Sequence, residues 1–225
     1  MPPIIVVTGF APFSGERINP SWEVARTLDG DVIGGLQVKA VRLPVNCLAA
    51  ARRVEAAFVR YRPRAILGLG QARGRPALSL ERIAINLFQN TKGGALDARN
   101  GGHPVIREGP DAYFSRLPMG AILKALERRK IPASISLSAG SYACNAAMYA
   151  ALHATRRRPN FPAGFIHLPF DAAQSARNPA VPSMPVALME DAIRAAILVI
   201  AREVLPQQNQ AKHQDTKIGQ VALHR

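Results

Sequence analysis

The chain has only two cysteines, Cys47 and Cys144, in 225 residues. That is too few for a disulfide framework, and two thiols in a chain of this length read as reduced, in a cytoplasmic protein. Long apolar runs are missing too. The longest, residues 195–201, falls well short of the ~18–20 residues needed to cross a bilayer, so no membrane partner is expected. The opening M-P-P-I-I-V-V-T-G-F has no basic segment ahead of its apolar residues, which argues against a secretory signal. Acidic residues are scarce: 15 Asp and Glu stand against 29 Lys and Arg, a formal net charge of +14. Such an excess raises the question of nucleic acid. The arginines are scattered, however, and the one dense run, Arg156, Arg157 and Arg158, falls at an expected helix end, where cations complement the helix dipole. With no helix-turn-helix spacing, zinc-ligand set or aromatic-basic strand motif beside them, a solvated surface is the better reading and no nucleic-acid partner is expected.

What is present alternates between two periodicities. Residues 4–8, 36–43, 65–69, 77–85 (interrupted by Glu81), 134–139 and 164–168 read as strands. Between them lie helical patterns: one capped by Asn19 or Ser21, one over 48–60, one over 119–129, one from Asn145 onward and one over 186–204. Strands alternating with helices imply an α/β fold, a three-layer sandwich with a mostly parallel twisted sheet and helices on both faces. Residues 1–205 form one expected domain, and 206–225 a polar, disordered tail. Residues 90–109 are glycine-rich, a long irregular segment of the kind that is usually functional or mobile.

Three residues stand out chemically. Cys144, in S-A-G-S-Y-A-C-N, follows a strand pattern and a glycine and opens a helix, a position whose unpaired N–H groups favour thiolate. A thiol nucleophile needs an imidazole to take its proton and later protonate the leaving amine. Of the five histidines, His213 and His224 lie in the tail, His103 in the glycine-rich segment and His153 nine residues along the Cys144 helix. His167, in G-F-I-H-L, stands at the end of an apolar strand, where α/β folds gather catalytic groups. Glu81, in S-L-E-R-I-A-I-N, puts a carboxylate inside an apolar alternation and needs a partner. Arg82 next to it points to the opposite face of a strand, which leaves an imidazole as the candidate.

Four blocks, V-T-G-F-A-P-F with N-P-S, G-L-G-Q-A-R-G-R with L-E-R-I-A-I-N, S-A-G-S-Y-A-C-N, and G-F-I-H-L-P, run in order through residues 7–169. Together they closely resemble type I pyroglutamyl peptidases, the pyrrolidone-carboxylate peptidase family of cysteine peptidases. The resemblance implies release of an N-terminal pyroglutamyl residue from peptides, with Cys144 as nucleophile, His167 as general base and acid, and Glu81 as the orienting carboxylate. It implies that Phe10 and Phe13 enclose the lactam ring and that Asn19 and Gln71 hold its polar edge through main-chain groups. No metal or other cofactor is implied, and the expected partners are pyroglutamyl peptides and further copies of the chain, as dimer or tetramer. The chain departs from the family pattern in two places: Glu16 stands where a third ring-stacking Phe is found, and Thr91 and Lys92 where some bacterial members carry an arginine near the oxyanion. Cys47 matches no catalytic position. A fold that binds lactams without cleaving them would lack one of the three reacting residues, and all three are present.

Overall fold

Alternate residues of the first strand feed two different cores. In β1 (Ile4–Phe10), Ile5 and Val7 point into one and Val6 into the other, all three fully buried, as a strand covered on both faces requires. The computed structural model describes residues 1–89, 102–176 and 178–205. After β1 come α1 (Pro20–Thr27), β2 (Val32–Ile33), β3 (Leu36–Leu43), α2 (Cys47–Tyr61), β4 (Ala65–Gln71), β5 (Leu78–Glu81) and β6 (Ile83–Ile85). The chain continues with β7 (Ala112–Phe114), α3 (Met119–Arg128), β8 (Ala133–Ser136), α4 (Ala143–Ala154), β9 (Ala163–Leu168), α5 (Ala172–Ser175) and α6 (Val186–Val204).

Among the described residues, seven strands form the central sheet in the order β2-β3-β1-β4-β9-β5-β8. β3, β1, β4 and β9 are parallel to their neighbours in that run; β2 is antiparallel to β3, and β5 is antiparallel to β9. Helices α1, α3 and α6 pack on one face, and α2 and α4 on the other, giving the expected three layers. The parallel run brings the ends of β1, β4 and β9 to one edge, so Phe10, Gln71 and His167 become neighbours there.

Some boundaries differ from the sequence reading. The single strand expected over 77–85 is two strands in two sheets. After Glu81 the chain leaves the central sheet, with Arg82 N–H donating to the Ser136 carbonyl, and Ile83–Ile85 pairs with β7 in a separate two-stranded ribbon. The strand expected over 134–139 stops at Ser136, whose Oγ bonds the Ser138 main chain and turns the backbone out of the ladder. Of the two cap candidates for α1, Asn19 is the one. The tail, 206–225, and residues 90–101 of the glycine-rich segment, Thr91 and Lys92 among them, lie outside the described residues.

Candidate active site

Two glycines of β4 make room for the site. In the β4–β9 ladder Gly68 pairs with Phe165 and Gly70 with His167. A Cβ on Gly68 would strike the Phe165 ring. One on Gly70 would stand 2.8 Å from ring atoms of Phe165 and 2.9 Å from Cys144 Sγ. The G-L-G of this strand is therefore a bare floor on which the phenyl ring and the sulfur rest. Cys144 is the second residue of α4, carried over that floor on the same face.

Strand β5 brings the carboxylate. Ser79 pairs with His167 and Glu81 with Phe165 in an antiparallel ladder, so Glu81 lies diagonally across from His167 on one face. The reach is short: Nδ1 of His167 and Oε1 of Glu81 are 2.7 Å apart, with the carboxylate fully buried. A carboxylate only accepts, so Nδ1 carries the proton and Nε2 is left with its lone pair. The same Oε1 accepts from Arg75 Nη1 at 2.6 Å. Glu81 Oε2 has no hydrogen-bond partner among the described residues.

A cavity of about 370 Å³ opens at this edge, lined by Phe10, Phe13, Ser14, Asn19, Val45, Gln71, Ala139, Tyr142, Ala143, Cys144 and His167. It gathers Cys144, His167 and every one of the four residues expected to hold substrate; Glu81 sits behind His167. Among the described residues no Asp or Glu lines it, Glu16 included. Asn19 spends its side chain on the loop: Oδ1 accepts from Ser21 N–H and Oγ, Nδ2 donates to the Ala11 carbonyl, and Ser21 Oγ in turn accepts from Phe10 N–H. These bonds hold Phe10 and its loop against α1. Gln174 Oε1 accepts from the Asp171 N–H of its own capping box, so its Nε2 donates to Gln71 Oε1, and Gln71 is left with the donor end of its carboxamide. Asn145 bonds the main chain of Ile85 and Leu87 and ties the start of α4 to the segment beyond β6.

A sequence model described as "Pyroglutamyl peptidase" matches residues 4–203. The chain belongs to the pyroglutamyl peptidase family. It is 40% identical over 220 residues to a pyrrolidone-carboxylate peptidase of Klebsiella pneumoniae, covering 98% of this chain and 99% of that protein. A counterpart in Pectobacterium atrosepticum is 39% identical over 91% of this chain and 94% of its own length. Among solved structures, a mutant pyrrolidone carboxyl peptidase of the hyperthermophile Pyrococcus furiosus superposes with a TM-score of 0.82 at 38% identity, over 89% of this chain and 99% of that one. Pyroglutamyl peptidase I of Bacillus amyloliquefaciens gives 0.81 at 29% identity, over 89% and 97%. The family is one of cysteine peptidases.

Ionisation of this family member's site departs from the sequence reading. The start of a helix was expected to favour thiolate at Cys144, but burial, reinforced by the Glu81 charge, pushes the thiol up to about 12. The main-chain donor at the helix start and Arg75 pull the other way and are outweighed. Burial also lowers His167 below its ordinary value, against the hydrogen bond and charge of Glu81, which raise it. For Glu81, burial pushes the carboxyl up, yet His167, Ser136 and Arg75 together hold it below the usual range. At neutral pH the site rests as thiol, neutral imidazole and carboxylate. No side chain among the described residues hydrogen-bonds Sγ; the sulfur lies on the Gly70 floor, beside the strand position of His167.

The sequence reading missed Tyr142, Val45 and Arg75. Tyr142 directly precedes α4, and its ring lines the cavity as an aromatic that Glu16 does not supply. His153, weighed as a candidate, is engaged elsewhere: its Nδ1 meets Tyr113 Oη at 2.9 Å and its ring stacks on Tyr149. His103 forms a β-bridge with Phe88. Among the described residues no group of three or more His, Cys, Asp or Glu is placed to hold a metal, and no helix is long and apolar enough to cross a membrane.

Proposed function

We propose that this protein releases the N-terminal pyroglutamyl residue from peptides through a thioacyl-enzyme intermediate, with Cys144 as nucleophile, His167 as general base and acid, and Glu81 as orienter. One observation carries the reading: Cys144 and His167 both line an aromatic cavity that holds no carboxylate among the described residues. An ordinary N-terminus would bring an ammonium into that cavity with no partner, at a cost of several kcal/mol. The uncharged lactam brings none. Phe10 and Phe13 flank its ring, and Gln71 and the main chain of Asn19 meet its polar edge.

His167 Nε2 takes the proton of Cys144 as Sγ bonds to the pyroglutamyl carbonyl carbon. The oxyanion develops against the first N–H groups of α4, which no side chain caps. The C–N bond then breaks, the imidazolium protonates the departing amine, and a thioester remains. Water adds to it with His167 again as base, the C–S bond breaks, and the proton returns to sulfur. Keeping the resting pair neutral is compatible with this order, because the proton leaves sulfur during attack. The reading places the enzyme in the cytoplasm, in residues 1–205 as one catalytic domain, and as a homo-oligomer of two or four chains. The exposed Phe114 and Leu137 offer apolar surface for such contacts.

Two measurements bear on it. The purified, reduced protein is expected to hydrolyse a pyroglutamyl-coumarin reporter and to leave the open-chain glutaminyl reporter uncut. An inert pyroglutamyl reporter would overturn the function. Gly70→Ala is expected to lower kcat/KM for the reporter about a hundredfold, because the added methyl meets Sγ at 2.9 Å and displaces it from the substrate carbonyl. Wild-type kcat/KM in that variant would show that the floor does not set the sulfur position.

A further inference from the structure

One carboxylate oxygen serves two donors. Glu81 Oε1 accepts from His167 Nδ1 at 2.7 Å and from Arg75 Nη1 at 2.6 Å, while the buried Oε2 has no hydrogen-bond partner among the described residues. The two bonds that tie the carboxylate to His167 and Arg75 therefore both fall on that one oxygen, with Ser136 also favouring its charged form. With the imidazole neutral, the buried negative charge also needs a counter-charge, and the guanidinium is the only cation bonded to it among the described residues. Arg75 arrives on the segment joining β4 to β5, where Gly74 adopts φ +82°, a conformation that glycine takes without strain. Its Nη2 lies 3.4 Å from the Ser138 carbonyl, in the stretch that leads to Cys144. Arg75 is not among the described residues that line the cavity.

We propose that Arg75 is a positioning residue for the reaction: it clamps the buried Glu81 carboxylate in the one orientation that holds His167, and balances its charge. The proposal rests on the reading of Cys144, His167 and Glu81 as the reacting set. The guanidinium acts through Glu81 on the imidazole rather than on bound peptide, which separates it from a binding residue. The charges that act on His167 come from Glu81 on β5 and Arg75 on the preceding loop, with Cys144 facing from α4. Arg75 makes both the imidazole harder to protonate and the thiol easier to ionise.

The test compares wild type with Arg75→Met and Arg75→Lys. The readouts are the pH profile of kcat and kcat/KM on the pyroglutamyl-coumarin reporter, the pH profile of Cys144 alkylation by iodoacetamide, and thermal melting. Arg75→Met is expected to lose about tenfold or more in kcat with little change in KM, the worth of a hydrogen bond to a charged group. Its acid limb should move to higher pH, and alkylation should need higher pH. Arg75→Lys keeps the charge but not the fork, and should restore the limb and part of the rate. Added to Glu81→Gln, Arg75→Met should cost little more. A loss confined to melting temperature, or unchanged pH profiles in a variant that folds, would overturn the clamp. Were the wild type inert to the reporter, the proposed function would fall, and the alkylation profiles would still decide for or against Arg75.

Discussion

Cys144→Ala removes turnover of a pyroglutamyl reporter while leaving the fold in place. The expected loss is about 10⁵-fold or more, since the variant retains the cavity and imidazole but cannot form the thioester. The residue is partly accessible at the second position of α4, alanine is a strong helix former, and the removed sulfur rests on the Gly70 floor rather than in a sealed core. Melting temperature should stay within a few degrees of wild type, because the removed atom borders the cavity. Cys47 supplies the control. It is buried at the start of α2, outside the cavity, so Cys47→Ala should retain activity and its sensitivity to iodoacetamide. Steady-state assays with both variants check this. Activity surviving in Cys144→Ala would remove the nucleophile from the account.

Glu81→Gln is expected to reduce kcat by roughly 10²- to 10⁴-fold with little change in KM. The carboxamide has two orientations, and each is costly. With oxygen toward His167 and Arg75, two amide N–H donors take the place of the bare, buried Oε2. With the amide nitrogen toward His167, Nδ1 must accept, the proton moves to Nε2, and the base is lost. The pH dependence has a definite sign. Glu81 raises the imidazole through its hydrogen bond and its charge, so removing the charge makes His167 a weaker base and moves the acid limb to lower pH. Arg75→Met should move the same limb in the opposite direction. Profiles of kcat/KM against pH for the two variants check both signs, and a shared direction would contradict the charge assignment.

Long elements with clear stops were legible in the sequence. Helix α6 covers 186–204 as expected, an amphipathic pattern between Pro185 and Pro206. Elements of two to four residues, β2, β7 and α5, carry too little periodicity to register, and the break between β5 and β6 is invisible because the apolar alternation runs on through it. Glu81 was conspicuous because a carboxylate in an apolar strand needs a partner. Arg75 was not, because an arginine on a loop looks solvated until the path through Gly74 shows it folding back onto that carboxylate. The helix at Cys144 was equally visible, but not the burial that outweighs its effect on the thiol. Local propensity shows where a helix starts; desolvation depends on what the rest of the chain packs around it.

Acid-quenching the enzyme during turnover of a pyroglutamyl peptide and measuring its mass, then that of the proteolytic fragment holding Cys144, tests the central claim most directly. The account predicts one added pyroglutamyl acyl group, located on Cys144 and released by hydroxylamine. Turnover under the same quench with no adduct on that fragment, or with the acyl group on another residue, would contradict it.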